Sequence, residues 1–188
     1  MVTVIAEISG NSLHPVTAQL VGAAGGDVTV LCAGGIGAAE AAELSGVAKV
    51  ISVEGDCFSS FDGGAWASAM GSLTEGRVLA ASTANGREIA ARMAVAKGVA
   101  VVQDVTSISG NTVSRPIYSG KAMESITISE DTILTLRPNT FAAVDGGGSA
   151  DMSTVNQSAD VATSVKEAIA KDSERLDVSD ADIIISGG

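Results

Sequence analysis

The stretch from Ser82 to Arg87 brings together the side chains best suited to binding an anion. It combines small hydroxyls, a glycine and an arginine between an apolar strand and a predicted helix. In open α/β sheets ligands bind where strands end, and a helix start of this composition can hold a phosphate. The same residue types also cap helices, here through Ser82, Thr83 or Asn85 beside a surface arginine. We favour capping and keep the anion site as the alternative.

A second stretch, Gly35 to Glu40, has the glycine spacing with which a dinucleotide-binding loop begins. Its two glycines would let a pyrophosphate approach the backbone at a helix start. Glu40 stands at the position of the third glycine, however, and the loop follows the second predicted strand. A turn between strand and helix is therefore the favoured interpretation. The Walker pattern of a phosphate loop is absent from the sequence.

Side chains for acid–base, nucleophilic or metal chemistry are scarce. The one histidine, His14, stands before Pro15 at a predicted helix start, which favours a capping or surface role. Cys32 and Cys57 form no close pair and have no histidine beside them, so we expect buried or half-buried thiols in a reducing compartment. A structural disulfide or a metal site is the alternative for the two cysteines. We predict no catalytic residue and no metal site.

The charge of the chain restricts its partners. It has 188 residues, with 11 Lys and Arg against 22 Asp and Glu, which leaves a formal net charge of −11. Nucleic acid binding needs clustered basic residues, and the basic residues here are scattered. The aromatic content of 3% also disfavours a base-stacking surface. No apolar run approaches the ~20 residues that span a bilayer, so we expect no membrane insertion. The start, Met1 to Ala6, has no basic segment and no cleavage site of a signal peptide, and we expect a cytoplasmic location.

Apolar strands alternate with helices over the first hundred residues. Strands that are apolar on both faces and separated by helices predict an α/β fold, with a parallel sheet covered by helices on both faces. One domain over residues 1–144 accounts for most of the chain. The predicted strands are Val2–Ile8, Val28–Ala33, Lys49–Val53, Arg77–Ala81 and Val99–Val102, and the predicted helices are Pro15–Ala24, Ala38–Leu44, Ala65–Leu73 and Gly86–Ala96.

Short β segments joined by turn residues replace this alternation after Gln103. Their spacing predicts antiparallel hairpin strands that extend the end of the parallel sheet. Within them, Arg115 and the sole tyrosine, Tyr118, have the composition of a protein interface on an exposed ribbon. A tyrosine half-buried against the sheet is the alternative. The segments are Val105–Ser109, Val113–Tyr118, Ser125–Ile128 and Thr132–Leu136.

The C-terminal part of the sequence changes character again. Residues 145–160 are rich in Gly, Ser, Thr and Asp, which indicates a linker-like segment. Helical spacing over Val161–Lys171 favours a helix. A strand at Ile183–Ile185, followed by two glycines, is typical of the opening of a further unit. We therefore assign 161–188 to the end of the domain and the opening strand of a second domain, and we expect the natural chain to continue.

Six motifs lie along the whole chain. They are Val4-Ile5-Ala6-Glu7, Ser12-Leu13-His14-Pro15, the segment Ser82 to Arg92, Arg115-Pro116-Ile117-Tyr118-Ser119-Gly120-Lys121-Ala122, Leu136-Arg137-Pro138-Asn139-Thr140-Phe141, and Ala181-Asp182-Ile183-Ile184-Ile185-Ser186-Gly187-Gly188. In this order they resemble the alpha subunits of electron transfer flavoproteins. The Arg-Pro-Ile-Tyr-Ser-Gly and terminal Ser-Gly-Gly segments are the most specific parts of the resemblance.

The resemblance implies an adenine-nucleotide-alpha-hydrolase-like domain that packs with a beta subunit in a heterodimer. It also implies FAD, held mostly by a second domain, and electron transfer from flavoprotein dehydrogenases, including those of fatty acid oxidation, to a quinone oxidoreductase or another acceptor. Only Gly187 and Gly188 align with the entrance of the flavin-binding domain, so we expect this chain alone to bind no FAD. The family's segment matching Thr163 to Ala170 is extended, and we prefer this to the helix that periodicity favours.

Two other functions stay open. A stand-alone adenine-nucleotide-binding module would use Ser82 to Arg87 and the glycine loop. An enzyme acting on an adenine nucleotide is the weakest of the three, because no phosphate loop, metal cluster or placed base accompanies the fold. In the leading interpretation, the chain is a docking scaffold in an electron carrier and no enzyme.

Overall fold

The computed structural model describes residues 1–167 and 183–187. The described strands are β1 (Val2–Ile5), β2 (Ile8–Ser9), β3 (Ser12–Leu13), β4 (Val28–Ala33), β5 (Val47–Glu54), β6 (Arg77–Ala81), β7 (Val101–Val105), β8 (Ser107–Ser109), β9 (Thr112–Ile117), β10 (Ala122–Thr127), β11 (Ile133–Leu136) and β12 (Asp151–Asn156). The described helices are α1 (Val16–Ala24), α2 (Ala38–Ala42), α3 (Gly63–Gly71) and α4 (Ala84–Lys97), with a 3-10 helix at Asp56–Phe58.

Seven of these strands form one parallel sheet in the order β12-β5-β4-β1-β6-β11-β7. All six residues of β4 are buried, because the sheet is covered on both faces. Successive strand residues enter two different apolar cores: Val30 packs with α1 and α2, and Leu31 packs with α3 and α4. The predicted α/β class, with helices on both faces of a parallel sheet, is confirmed.

Small residues let the helices lie close to the sheet and its loops. A Cβ on Gly86, in the first turn of α4, would collide with the carbonyl of Ala81 at the end of β6. A Cβ on Gly22 of α1 would collide in the same way with the carbonyl of Ala142. Glycine therefore allows the close packing on which a chain with few aromatic residues depends.

One predicted hairpin strand belongs to the parallel sheet instead. We expected an antiparallel strand at Thr132–Leu136, but β11 lies parallel between β6 and β7. All four residues of β11 are buried, as suits a strand that is covered on both faces. The antiparallel strands β8, β9 and β10 form a separate sheet. Val113 of β9 and Ile128, which follows β10, pack into the apolar core on the α1 face. This small sheet takes the place that a helix usually has between two parallel strands, here β7 and β11.

Part of the predicted linker is also a strand. Within 145–160, residues Asp151–Asn156 form β12 and pair in parallel with β5. The Gly, Ser, Thr and Asp content of 145–160 indicated a linker, but the backbone ladder needs only N–H and C=O groups. A Cβ on Gly148 would collide with the carbonyl of Leu44, so this glycine before β12 provides close packing. The linker prediction is therefore wrong for the six residues of β12.

Two further predictions concern the C-terminal part. The helix that periodicity favours from Val161 is absent over residues 161–167, and the rest of that prediction lies outside the described residues. Residues 183–187 form no strand here, and Ile183 and Ile185 are exposed. We assigned the strand at Ile183–Ile185 to the opening of a second domain, so it stays a prediction. A strand needs a paired neighbour for stability. Within the described part of the chain, no helix has the length and apolar character needed to span a bilayer.

Candidate functional site

The chain reverses its direction across the sheet between β1 and β6. From β1 it proceeds to β4 and β5, and it then returns to β6 on the other side of β1. Such a switch point, at the carboxyl ends of the strands, is where open α/β sheets place ligands. Glu7 follows β1 at this edge, and Ser82 and Thr83 follow β6. This edge is therefore the candidate site.

Thr83 caps helix α4 and also binds a carboxylate beside β1. Its Oγ1 accepts a hydrogen bond of 3.0 Å from the backbone N–H of Gly86, and its hydroxyl donates to Glu7 Oε1 over 3.0 Å. Burial raises the pKa of the Glu7 carboxyl, and the hydrogen bond from Thr83 opposes part of that rise. The capping interpretation is confirmed for Thr83. The side chain of Glu7 is thus already bound to the residue that caps α4.

Asp104 connects the ends of three strands. Arg137, which follows β11, donates from Nε to Asp104 Oδ1 over 3.0 Å, and its Nη2 binds Oδ2. Arg87 of α4 places Nη2 at 3.6 Å from Asp104 Oδ1. Arg87 Nε also donates to the Ser82 hydroxyl over 2.8 Å, and that hydroxyl lies 3.4 Å from Asp104 Oδ1. The Asp104 carboxylate therefore links the ends of β6, β7 and β11.

The electrostatics of this cluster follow from its two arginines. The hydrogen bond from Arg137 holds the pKa of the Asp104 carboxyl below its usual range, although burial opposes the shift. The same contact raises the pKa of Arg137. The side chains of Arg87 and Arg137 stay 47% and 44% exposed. Each guanidinium therefore faces solvent as well as Asp104.

The glycine loop after β4 packs against other parts of this chain. A Cβ on Gly35 would collide with the carboxylate of Glu54. Gly37 has a φ of +74°, and a Cβ there would press against Leu13. The carboxylate of Glu40 accepts a hydrogen bond of 2.8 Å from the backbone N–H of Leu13. This packing accounts for the glycines, in agreement with the interpretation as a turn.

A pyrophosphate would meet negative charge at both loops of this edge. Glu7 lies beside the start of α4, and Glu40 and Glu54 flank the glycine loop. Phosphate groups bind where N–H donors and cations converge, whereas nearby carboxylates repel them. The carboxylates of Glu7, Glu40 and Glu54 therefore disfavour a pyrophosphate at these two loops.

The histidine and the two cysteines have structural positions. The Nδ1 atom of His14 accepts a hydrogen bond of 3.1 Å from the backbone N–H of Val16, which confirms the capping role. Cys32 and Cys57 are both free and buried, so the disulfide alternative is wrong. Burial, helped by the charge of Glu40, raises the pKa of Cys32 to about 12, which makes it an inert thiol at neutral pH. Among the described residues, no group of three or more side chains could hold a metal ion.

Comparison with known proteins connects this geometry to a family. A family model described as "Electron transfer flavoprotein domain" matches residues 2–160. The chain belongs to the electron transfer flavoprotein family. It is 33% identical to the electron transfer flavoprotein subunit alpha of Paracoccus denitrificans and 34% identical to that of Pseudomonas aeruginosa. Each match covers 100% of this chain and 64% of the relative, so the chain spans just under two thirds of the relatives' length.

A more distant relative gives the same picture. The electron transfer flavoprotein subunit alpha of Bacillus subtilis is 30% identical over 76% of this chain and 48% of its own length. The resemblance to alpha subunits that the motifs indicate is thus confirmed. At the carboxyl edge of this electron transfer flavoprotein domain, the carboxylates of the chain bind its own hydroxyl groups and arginines.

The hairpin of β9 and β10 presents the predicted interface residues. Arg115 Nε donates to Glu124 Oε2 over 2.7 Å, across the two strands. Tyr118 is 78% exposed at the turn, so the alternative of a half-buried tyrosine is wrong. Tyr118 and Ser119 both have left-handed φ angles, +52° and +57°, which non-glycine residues rarely adopt. An interface at this turn stays a prediction.

The two predicted cofactor residues lie at the C-terminal end of this electron transfer flavoprotein chain. Gly187 is exposed, and Gly188 lies outside the described residues, so a role in binding FAD stays a prediction.

The sequence analysis did not single out Asp104 and Asp62. Asp62 carried a local signal, because it precedes Gly63 and the start of α3. Asp104 carried none, because its partners come from other elements.

Proposed function

We propose that this chain is the scaffold region of an electron transfer flavoprotein alpha subunit. It seats a beta-type subunit in a heterodimer and carries the FAD-binding region of the full assembly. The assembly takes electrons from flavoprotein dehydrogenases and passes them to a quinone oxidoreductase or another acceptor, in the cytoplasm. The observation that carries this proposal is the family match over residues 2–160.

The carboxyl edge of the sheet supports a scaffold role. Its perturbed carboxyls are bound by groups of the same chain: Glu7 by Thr83, and Asp104 by Arg137. Electron transfer through a bound cofactor asks a protein to orient and shield that cofactor, and it needs no general base or nucleophile. In this proposal the redox chemistry belongs to FAD held elsewhere in the assembly.

The charge of the chain supports a particular kind of partner. A net charge of −11 attracts proteins with a basic docking surface over long range. Because such steering is screened by ions, added salt lowers the rate of association with those partners. Stopped-flow measurements at low and high salt would test this part of the proposal.

Co-expression with a beta-type subunit tests the proposal directly. We expect a tagged form of this chain to purify with that subunit in a 1:1 complex, judged by light scattering. The Tyr118→Ser variant asks whether the exposed hairpin turn contributes, and Glu130→Gln is a control at another exposed turn. A chain that stays alone, at concentrations where alpha and beta subunits assemble, contradicts the proposal.

A second candidate function is a stand-alone adenine-nucleotide-binding module. The observation in its favour is the partial exposure of Arg87 and Arg137 at the switch point. Titration calorimetry with AMP and ATP decides between the candidates. Micromolar binding that Arg87→Ala abolishes would favour the module. Under the scaffold proposal neither nucleotide binds, because Glu7 and Asp104 already engage the groups at this edge.

A further inference from the structure

One carboxylate binds the chain at two places that are far apart in sequence. Asp62 is 6% exposed and lies at the start of α3, where its Oδ1 accepts a hydrogen bond of 2.9 Å from the backbone N–H of Ala65. Its Oδ2 accepts bonds of 3.0 Å from the N–H groups of Ala162 and Thr163, and one of 2.9 Å from the Thr163 hydroxyl. The carboxylate therefore fastens the segment that follows β12 to the body of the domain.

Apolar packing holds only part of this segment, where half-buried Ala159 packs against the core on the α3 face. Val161 and Val165 are 45% and 63% exposed. The backbone ladder reaches as far as Gln157, whose N–H donates to the carbonyl of Glu54 over 2.8 Å. The next hydrogen-bonded point along the chain is the pair of residues bound by Asp62. We call residues 158–163 the exit segment, because they lead from the last strand of the sheet toward the C-terminal end.

An ion pair lies near Asp62 but does not include it. A cavity of about 310 Å³ borders the exit segment and is lined by Glu88 and Arg92, among others. Arg92 Nε binds Glu88 Oε1 at 2.9 Å, so the positive charge nearest this cavity is paired with Glu88. Asp62 is bound only by neutral N–H and O–H groups. Its attachment of the exit segment therefore depends on three hydrogen bonds and not on a salt bridge.

We propose that Asp62 is the positioning residue that sets where the chain leaves the scaffold. The point of departure is then after Thr163, and not at residue 145, where the composition changes. This inference rests on the proposed function, in which the C-terminal continuation carries the FAD-binding region. Asp62 fixes the origin of that connection, and hence the reach of the attached region.

The Asp62→Asn variant separates the two tasks of the carboxylate. Asparagine caps helices about as well as aspartate, so its one carbonyl oxygen can keep the bond to Ala65. Its amide NH2 then faces the N–H groups of Ala162 and Thr163 and cannot accept from them. Asp56→Asn is the matched control, since it removes the same charge from an exposed neighbouring residue.

Trypsin cleavage after Lys166 reports the release of the exit segment. A protease needs several flexible residues around the cut, so cleavage follows the population in which the attachment is open. In the purified chain, we expect cleavage of Asp62→Asn to be at least ~10-fold faster than that of wild type, with Asp56→Asn unchanged. Equal cleavage rates in all three proteins would overturn the proposal.

Hydrogen exchange gives a second test that needs no variant. In wild type, the amides of Ala162 and Thr163 should exchange more slowly than those of Val165 to Glu167, which follow this hydrogen-bonded point. Exchange at equal rates would overturn the proposal even if Asp62→Asn failed to fold. Neither test involves a beta-type subunit or FAD. Failure of the co-expression experiment would therefore count against the proposed function alone, and failure here against the role of Asp62 alone.

Discussion

Asp104 and Asp62 hold two regions of the molecule together with opposite kinds of partner. At the carboxyl edge, Asp104 is bound by the guanidinium group of Arg137 and lies near that of Arg87. Near the C-terminal end of β12, Asp62 is bound by neutral N–H and O–H groups. The first region balances charge in the presence of solvent. In the second region, neutral hydrogen-bond donors stabilise a carboxylate that forms no salt bridge with a described residue. The comparison shows that a carboxylate can join distant parts of a fold in either way.

Removal of the charge on Asp104 should have the largest effect. Asp104→Asn keeps a residue that tolerates the φ of +65° but leaves two arginines close together without their counter-charge. We expect a loss of about 2 kcal/mol in the free energy of unfolding, measured by urea denaturation. The exposed Glu130→Gln should change it by less than about 0.5 kcal/mol. A variant as stable as wild type would mean that the arginines do not depend on Asp104.

The stabilisation that Asp62 provides should decrease in acid. The hydrogen bond from Ala65, with those from Thr163 and Ala162, lowers the pKa of Asp62 to about 2. The unfolded carboxyl titrates near ~3.9, so the stabilisation by Asp62 is complete above that pH and is lost as pH falls through about 2. The difference in unfolding free energy between wild type and Asp62→Asn should therefore shrink from pH 5 to pH 2. A difference that stays constant over this range would contradict the role of the ionised carboxylate.

Salt should weaken one region more than the other. The arginines on Asp104 are 47% and 44% exposed, so 1 M sodium chloride should screen their attraction to it. We expect the stability difference between wild type and Asp104→Asn to narrow in salt, as followed by urea denaturation. The difference between wild type and Asp62→Asn should change less, because neutral donors bind that carboxylate. An equal response of both variants would remove the distinction between the two regions.

The smallest expected effect is that of a single hydroxyl. Thr163→Val removes one of the three bonds that fasten the exit segment and keeps both backbone N–H donors. We expect a cost of about 0.5–1.5 kcal/mol in local opening, measured by hydrogen exchange at Ala162. The exposed Thr140→Val serves as a control, since its hydroxyl bonds only the carbonyl of Arg137. Unchanged exchange at Ala162 would show that the backbone bonds suffice.

Local patterns predicted the strands that are buried along most of their length. The boundaries of Val28–Ala33 and Arg77–Ala81 match the structure because continuous apolar runs identify strands covered on both faces. β12 escaped prediction because its polar side chains carry no such signal, while its backbone pairs with β5. The position of β11 escaped because the choice of neighbouring strands is decided by contacts remote in sequence.

The candidate site was predictable only in part for the same reason. The cap at Thr83 follows from a local motif, and the structure has it. The carboxylate that binds Thr83 comes from Glu7, which follows another strand. The arginines near Asp104 lie just after β11 and on α4. Spacing along the chain contains no information on such meetings. They become visible only when the order of the strands is known.

The insertion of β11 between β6 and β7 has a consequence for synthesis on the ribosome. β6 and β7 are made first but do not pair with each other, so each keeps an open edge until residue 136 has left the exit tunnel. Open strand edges attract other chains, which makes the nascent domain vulnerable to aggregation during that interval. The strands β8, β9 and β10 emerge during that interval. β11 then pairs with both β6 and β7, and it covers both open edges in one step.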